Sequence, residues 1–122
     1  MSAFLYYLGF SLLIAHEIDA AIQREWKLLY IFRRLPEQSA IPYFVALHVP
    51  LFTLLLYLTN HDSNDIQQSS RLAIALFLII HAALHKRLEP HALYKFHSPL
   101  SKGLIYGGGL VGFAYCMLML TA

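Results

Sequence analysis

The chain has 122 residues, of which 58% are hydrophobic and only 13% are charged. Soluble domains are typically about 45–50% apolar and about 25% charged, so this composition excludes an ordinary soluble domain. A formal net charge of +2 excludes the strongly basic surface of a nucleic-acid-binding protein. The single cysteine, Cys116, excludes an intramolecular disulfide and any zinc or iron–sulfur site built from several cysteines.

Four apolar stretches are long enough to cross a bilayer as helices, which takes about 20 residues each. They lie at about residues 3–22, 41–59, 72–88 and 103–121, and only short polar segments separate them. The sequence therefore predicts an all-α fold. We expect residues 1–122 to form one domain, an integral membrane four-helix bundle.

The basic residues predict how the spans are oriented, because loops rich in lysine and arginine stay in the cytoplasm. The connection between the second and third spans contains only Arg71. The other basic residues lie in or next to the two connections on the opposite side: Arg24, Lys27, Arg33, Arg34, Lys86, Arg87, Lys95 and Lys102. We expect that side to be cytoplasmic and both termini to be non-cytoplasmic.

The first three predicted spans carry four histidines at similar depth. These are His16, His48, His81 and His85. With a rise of 1.5 Å per residue, all four fall between the middle of the membrane and about 10 Å from its cytoplasmic edge. Residues three and four apart on a helix are neighbours, so His16 shares a stripe with Asp19, and His81 shares one with His85.

This layer predicts a metal site that faces the cytoplasm, because ionisable groups inside a membrane are costly and usually functional. The predicted ligands are His16, Asp19, His48, His81 and His85. Neutral imidazoles with a carboxylate suit a divalent transition metal such as zinc or iron. Glu17 points about 100° away from His16 and is a candidate second ligand or general base. The alternative interpretation is a purely structural polar network.

The second predicted span contains Pro50, which cannot donate a hydrogen bond to the carbonyl of Ala46. We expect this free carbonyl to accept a hydrogen bond from the imidazole of His48 and so to orient the ring.

The predicted function is that of a small membrane metalloenzyme, an oxidoreductase or a hydrolase, that acts on an apolar or lipid-like substrate. A metalloprotease with a His-Glu-x-x-His motif is excluded, because the residue four after His16 is Ala20. One alternative is a haem b subunit that exchanges electrons with a quinone, the haem being held by His48 and one of His81 or His85.

A second alternative is a small proton-coupled transporter. In that case His16, Glu17 and Asp19 would form a proton relay along the first span.

The fourth predicted span has no ionisable residue after Lys102, but it contains two glycine pairs with GxxxG spacing. The pairs are Gly103 with Gly107 and Gly108 with Gly112. Such pairs let another helix approach closely. We expect this span to be either scaffold within the chain or the face of a homodimer or larger membrane complex, the lipid bilayer being the other partner.

Three motifs carry resemblances to known families. The His-Ala-Ala-Leu-His segment at residues 81–85 resembles the HxxxH box of membrane fatty-acid hydroxylases and desaturases, which implies non-haem iron and an oxidoreductase. The His-Glu-Ile-Asp-Ala segment at 16–20, the Leu-His-Val-Pro-Leu-Phe segment at 47–52 and the same 81–85 segment, together with the Glu25-Trp26 pair, resemble an uncharacterised family of small bacterial four-span membrane proteins. The chain is also loosely similar to HXXEE-domain membrane proteins. The resemblance to the uncharacterised four-span family implies a multi-pass protein of the bacterial inner (plasma) membrane.

Overall fold

The computed structural model describes residues 1–122 and is entirely helical. The long helices are α1 (Ser2–Ile22), α2 (Glu37–Thr59), α3 (Asn64–Leu88) and α4 (Pro99–Thr121). A short 3₁₀ helix, Glu25–Lys27, follows α1. The predicted all-α fold is confirmed. Helices α1, α2 and α4 are long and apolar enough to cross a membrane, which is compatible with a membrane protein.

Helix α3 falls outside that class. Its first eight residues, 64–71, are mostly polar, and its last turn contains Lys86 and Arg87. The apolar part between these ends is shorter than the roughly 20 residues of a membrane span. Hydropathy therefore supports three of the four predicted spans, and the predicted span at 72–88 is the one without this support.

The helices begin earlier than the apolar stretches that predicted them. Helix α4 starts at Pro99 rather than at residue 103, because Ser98 caps it: the Ser98 Oγ accepts a hydrogen bond from the Ser101 N–H at 3.0 Å. Proline at the first helical position is favourable there, since no intrahelical acceptor is available for its missing N–H. Hydropathy misses such polar first turns because capping, rather than burial, stabilises them.

The helices alternate in direction, so that the end of α1 meets the start of α4. Helix α4 packs mainly against α1 and α3, whereas α2 stands at the side and contacts the others less. In α2 only Ala40, Phe44 and Thr59 are buried, whereas seven residues of the shorter α1 are buried. Most of α2 is therefore free to face lipid or a partner.

Two buried apolar clusters lie at opposite ends of the helical bundle. One consists of Tyr6, Phe10, Ile74, Ala75, Tyr115 and Cys116. The other consists of Ala20, Trp26, Ala40, Phe44, Tyr94, Phe96 and Ile105. Both termini lie at the end of the first cluster, together with the turn after α2, where Tyr7 Oη donates to Asn60 Oδ1 at 3.4 Å. The second cluster packs beneath the polar residues described next.

The glycines in the middle of α4 serve packing within the chain. Gly108 and Gly112 are buried, and a Cβ on Gly112 would lie 2.5 Å from the carbonyl oxygen of Ala75 in α3. Gly103 has no neighbouring atom within 4 Å of such a Cβ. The scaffold interpretation therefore holds for Gly108 and Gly112, and a partner face on α4 stays a prediction.

Candidate metal centre

A sharp reversal after α1 brings an acidic residue back under that helix. Arg24 adopts left-handed backbone angles, φ 57° and ψ 44°, and is the only residue of the chain with positive φ. This conformation is unfavourable for a residue with a Cβ, so the surrounding structure must enforce it. Trp26, 2% exposed, anchors the following 3₁₀ helix in the core. The reversal places the Glu25 carboxylate beside His16.

Four side chains converge at this point. They are His16 from α1, Glu25 from the 3₁₀ helix, and His81 and His85 from α3, and one ligand atom of each lies within 4.8 Å of all the others. The His16 Nε2 is 2.9 Å from the His81 Nε2 and 3.2 Å from the Glu25 Oε2. The His85 Nε2 is 3.7 Å from the same Glu25 oxygen. His16 and His85 are almost fully buried.

These separations match those of a metal coordination shell. Zinc holds nitrogen and oxygen ligands at about 2.0–2.1 Å in a tetrahedron, which places the ligand atoms about 3.3–3.4 Å from one another. The observed contacts of 2.9, 3.2 and 3.7 Å lie on both sides of that value. Three contacts are thus close to coordination distances, and the four donor atoms would draw together from a spread of up to 4.8 Å to share one ion.

The Glu25 carboxylate supplies negative charge to this group. Burial raises the pKa of Glu25, but the close His16 imidazole and the neighbouring His85 and His81 outweigh burial and hold the pKa below its ordinary value. The carboxyl is therefore ionised at neutral pH. Its Oε2 is buried and accepts no hydrogen bond of good geometry. A buried charged oxygen without a hydrogen bond is costly, and a cation among these donors would remove that cost.

A second layer of side chains holds two of the imidazoles in place. The His85 Nδ1 lies 3.0 Å from the Tyr94 hydroxyl, so the His85 Nε2 is left to face Glu25. Burial raises the pKa of Tyr94, which keeps its phenol neutral. Phe96 packs against both His16 and His85, with ring centroids 5.4 and 4.8 Å away. The His16 Nδ1 has no hydrogen-bond partner, so packing and the Nε2 contacts to His81 and Glu25 orient that ring.

Removing the Tyr94 hydroxyl should weaken metal binding without abolishing it. Partners of ligating histidines typically contribute 10- to 100-fold in metal affinity, so we expect Tyr94→Phe to lower zinc affinity by about that factor. A competition titration with a zinc chelator measures it. Tyr57→Phe is the matched control, since Tyr57 is an exposed residue near the opposite end of α2. Equal affinities of the two variants would contradict the orienting role of Tyr94.

The predicted ligand His48 and the predicted base Glu17 lie apart from this group and pair with each other. The His48 Nε2 is 2.7 Å from the Glu17 Oε2, and the His48 Nδ1 is 2.6 Å from the Phe44 carbonyl oxygen. The expectation that the Ala46 carbonyl holds His48 is wrong: the carbonyl one turn back, on Phe44, accepts the bond. A carbonyl only accepts, so Nδ1 carries a hydrogen, and a further proton lies between Nε2 and the carboxyl.

The predicted ligand Asp19 ties α1 to the start of α4. The Ser101 hydroxyl donates to the Asp19 Oδ2 at 2.6 Å, and the Gln23 amide donates to Oδ1 at 3.2 Å. Ser101 is fully buried and Asp19 nearly so. Both carboxylate oxygens are thereby occupied, close to the α4 N-terminus, where negative charge is favourable. The geometry gives Asp19 a structural role.

Asp19→Asn should therefore cost stability but not metal. Hydrogen bonds to a charged acceptor are worth about 1 kcal/mol more than those to a neutral one, so we expect a loss of about 1 kcal/mol in the free energy of unfolding. Thermal unfolding in detergent measures this loss. Metal analysis of the same sample should show the same metal content as in the native chain. Loss of the metal in Asp19→Asn would show that Asp19 is a ligand after all.

The structure thus brings together three of the predicted ligands, His16, His81 and His85. It leaves Asp19 and His48 outside and adds Glu25, which the sequence analysis missed. Helical periodicity carries no signal for Glu25, because this residue follows the end of α1 and reaches the group only through the turn at Arg24.

Comparisons with curated proteins and with solved structures gave no match. A family model described as a family of unknown function, DUF6713, matches residues 2–122. That match agrees with the sequence-based resemblance to an uncharacterised family. Because the model covers nearly the whole chain, the protein belongs to the DUF6713 family.

Proposed function

We propose that this protein is a four-span enzyme of the bacterial inner membrane that depends on a divalent transition metal, zinc or iron. In this proposal His16, Glu25, His81 and His85 hold the metal near the cytoplasmic surface, and the substrate is apolar or lipid-like. The observation that carries the proposal is the convergence of three imidazoles and one ionised carboxylate from three separate chain segments.

The donor set supports zinc or iron over other ions. Imidazole and carboxylate suit both metals, whereas magnesium and calcium prefer oxygen ligands alone. No thiol takes part, because the single cysteine belongs to the apolar cluster at the opposite end. A bound ion of either kind supplies Lewis acidity or activates a water molecule.

The orientation in the membrane rests on the charge distribution. Eight of the nine basic residues lie in or beside the α1–α2 and α3–α4 connections, at the same end of the helical bundle as the metal centre. This charge distribution supports placing that end of the bundle in the cytoplasm. Under this topology α3 crosses the membrane with its polar ends at the two surfaces. Both termini are then non-cytoplasmic.

The alternative of haem b fits the geometry less well. A haem iron needs two imidazoles on opposite faces of a wide planar ring. The rings of His16, His81 and His85 contact each other directly, with centroids 4.5–4.9 Å apart. Both ring nitrogens of His48, the other predicted axial ligand, are already engaged. The residues present therefore favour a bare ion.

Metal analysis and an absorption spectrum of the protein purified in mild detergent test this proposal. We expect about one zinc or iron per chain and no Soret band. A Soret band would favour haem, and a stable protein that contains neither metal nor haem after growth in metal-supplemented medium would favour the proton-coupled transporter. His48→Gln is the matched control and should retain the metal.

A further inference from the structure

An apolar cavity of about 330 Å³ lies between α1, α2 and α3. This volume is at the lower end of the range for small-molecule sites. Apolar side chains such as Leu55, Ile74 and Phe77 form most of its wall. Along α2 the lining runs from Leu51 to Thr59, which corresponds to a length of about 12 Å at the helical rise. The cavity therefore extends along α2, as the binding of part of a hydrocarbon chain requires.

The two ends of this cavity differ in chemistry. Glu17 lies at the end nearer the metal centre and is the only ionisable residue of the lining. At the other end the Thr59 hydroxyl is occupied, since it donates to the Leu55 carbonyl at 2.6 Å. Arg71 beside that end is engaged as well, because its Nε donates to the Thr59 carbonyl and its guanidinium lies over the Tyr6 ring. The lining at this end offers only the neutral hydroxyls of Thr59 and Ser70, so Glu17 is the strongest hydrogen-bonding group available to a ligand.

The pairing of Glu17 with His48 determines which head group suits the Glu17 end. His48 contacts one Glu17 oxygen through Nε2 and the Phe44 carbonyl through Nδ1, so neither ring nitrogen is free and the second Glu17 oxygen is left as a hydrogen-bond acceptor. No lysine or arginine lines the cavity, so nothing there neutralises a carboxylate or a phosphate. An uncharged hydroxyl group, which can donate a hydrogen bond to that Glu17 oxygen, matches this end of the cavity.

The cavity also adjoins the metal centre. Phe77 of the cavity wall packs against the His81 ring with centroids 5.1 Å apart. Glu17 directly follows His16 in the chain. A ligand head at Glu17 therefore lies on the side of the cavity that faces the proposed ion.

We propose that this cavity binds the hydrocarbon chain of a membrane amphiphile with an uncharged hydroxyl head, of the long-chain alcohol type, and that Glu17, held in place by His48, binds the head. This inference deepens the proposed function, on which the ligand's role as substrate rests. Binding itself is independent of the metal.

Photo-crosslinking in lipid nanodiscs tests the proposal. The probe is a hexadecanol analogue with a diazirine in mid-chain, and mass spectrometry locates the labelled residues. We expect labelling of cavity residues such as Leu55 and Ile74. Leu55→Trp fills the cavity and should reduce labelling of Ile74 about tenfold. Leu54→Trp is the matched control, because Leu54 is exposed on the outer face of α2 and is absent from the lining.

Competition tests the head group. Unlabelled hexadecanol should compete about tenfold better than hexadecane, which cannot hydrogen-bond, and Glu17→Leu should remove this difference. Equal competition by the two compounds in the native chain would overturn the head assignment. Labelling spread over lipid-facing residues and unchanged by Leu55→Trp would overturn the cavity assignment. Ala73→Leu, a smaller change in the same lining, replaces Leu55→Trp if that variant does not fold.

Metal analysis of the same nanodisc samples separates this inference from the proposed function. Cavity labelling in a chain without metal supports the amphiphile site and contradicts the metalloenzyme. Stoichiometric metal with no specific labelling does the reverse.

Discussion

Glu25→Gln is expected to lower zinc or iron affinity at least 100-fold, or to abolish binding. Glutamine keeps the size of the side chain but removes the negative charge that balances a divalent ion among three neutral imidazoles. Loss of partners of the ligands alone typically costs 10- to 100-fold, so loss of a ligand should cost about 100-fold or more. Metal content after dialysis against a weak chelator, followed by a competition titration, measures the effect.

Glu17→Gln is the matched control for this prediction. It makes the same chemical change in a carboxylate that pairs with His48 rather than with the metal centre. We expect metal content close to that of the native chain. If the two variants lost metal equally, the ligand would not be assigned to Glu25. Retention of full affinity in Glu25→Gln would reduce the group to a hydrogen-bonded network.

Gly112→Ala should destabilise the fold by about 2–3 kcal/mol. The added Cβ would lie 2.5 Å from the Ala75 carbonyl oxygen and 3.2 Å from the Leu78 Cβ, so α3 and α4 must move apart. Overpacking typically costs about 1–3 kcal/mol, and a backbone atom yields less readily than a flexible side-chain tip. The cost should exceed the roughly 1 kcal/mol that alanine gains over glycine inside a helix. Thermal or denaturant unfolding in detergent measures it.

Gly103→Ala on the same helix serves as the comparison. A Cβ there meets no atom within 4 Å, so only helix propensity acts, and stability should stay the same or rise by up to about 1 kcal/mol. A loss at Gly103 similar to that at Gly112 would show that α4 packs differently or that a partner covers Gly103. The oligomeric state of that variant would distinguish the two explanations.

The helices were largely predictable because each contains a mostly apolar stretch of more than ten residues. The predicted stretches at 3–22 and 103–121 lie inside α1 and α4. Their starts were less predictable, since residues such as Ser98 and Pro99 stabilise a helix by capping rather than by hydropathy. The predicted span at 72–88 is shorter than the others, and the polar ends of α3 leave too few apolar residues for this helix to qualify as a membrane span by hydropathy.

The histidines of the site were predictable for a related reason. His81 and His85 are four residues apart, so they share a face of α3 whatever the helix packs against. Alternating helix directions then bring His16 to the same level. Asp19 and His48 also lie near this level, but small differences in helix rotation turn their side chains toward Ser101 and Glu17. Periodicity defines faces, but it does not define which neighbour each face meets.

The sequence by itself determined that the chain is helical and apolar and that histidines from α1 and α3 lie at one level, because these properties follow from composition and from the regular geometry of a helix. Only the tertiary structure decided that Glu25 completes the group while Asp19 and His48 serve other contacts. Those outcomes depend on the left-handed turn at Arg24 and on how the helices rotate against one another, and packing of the whole chain sets both.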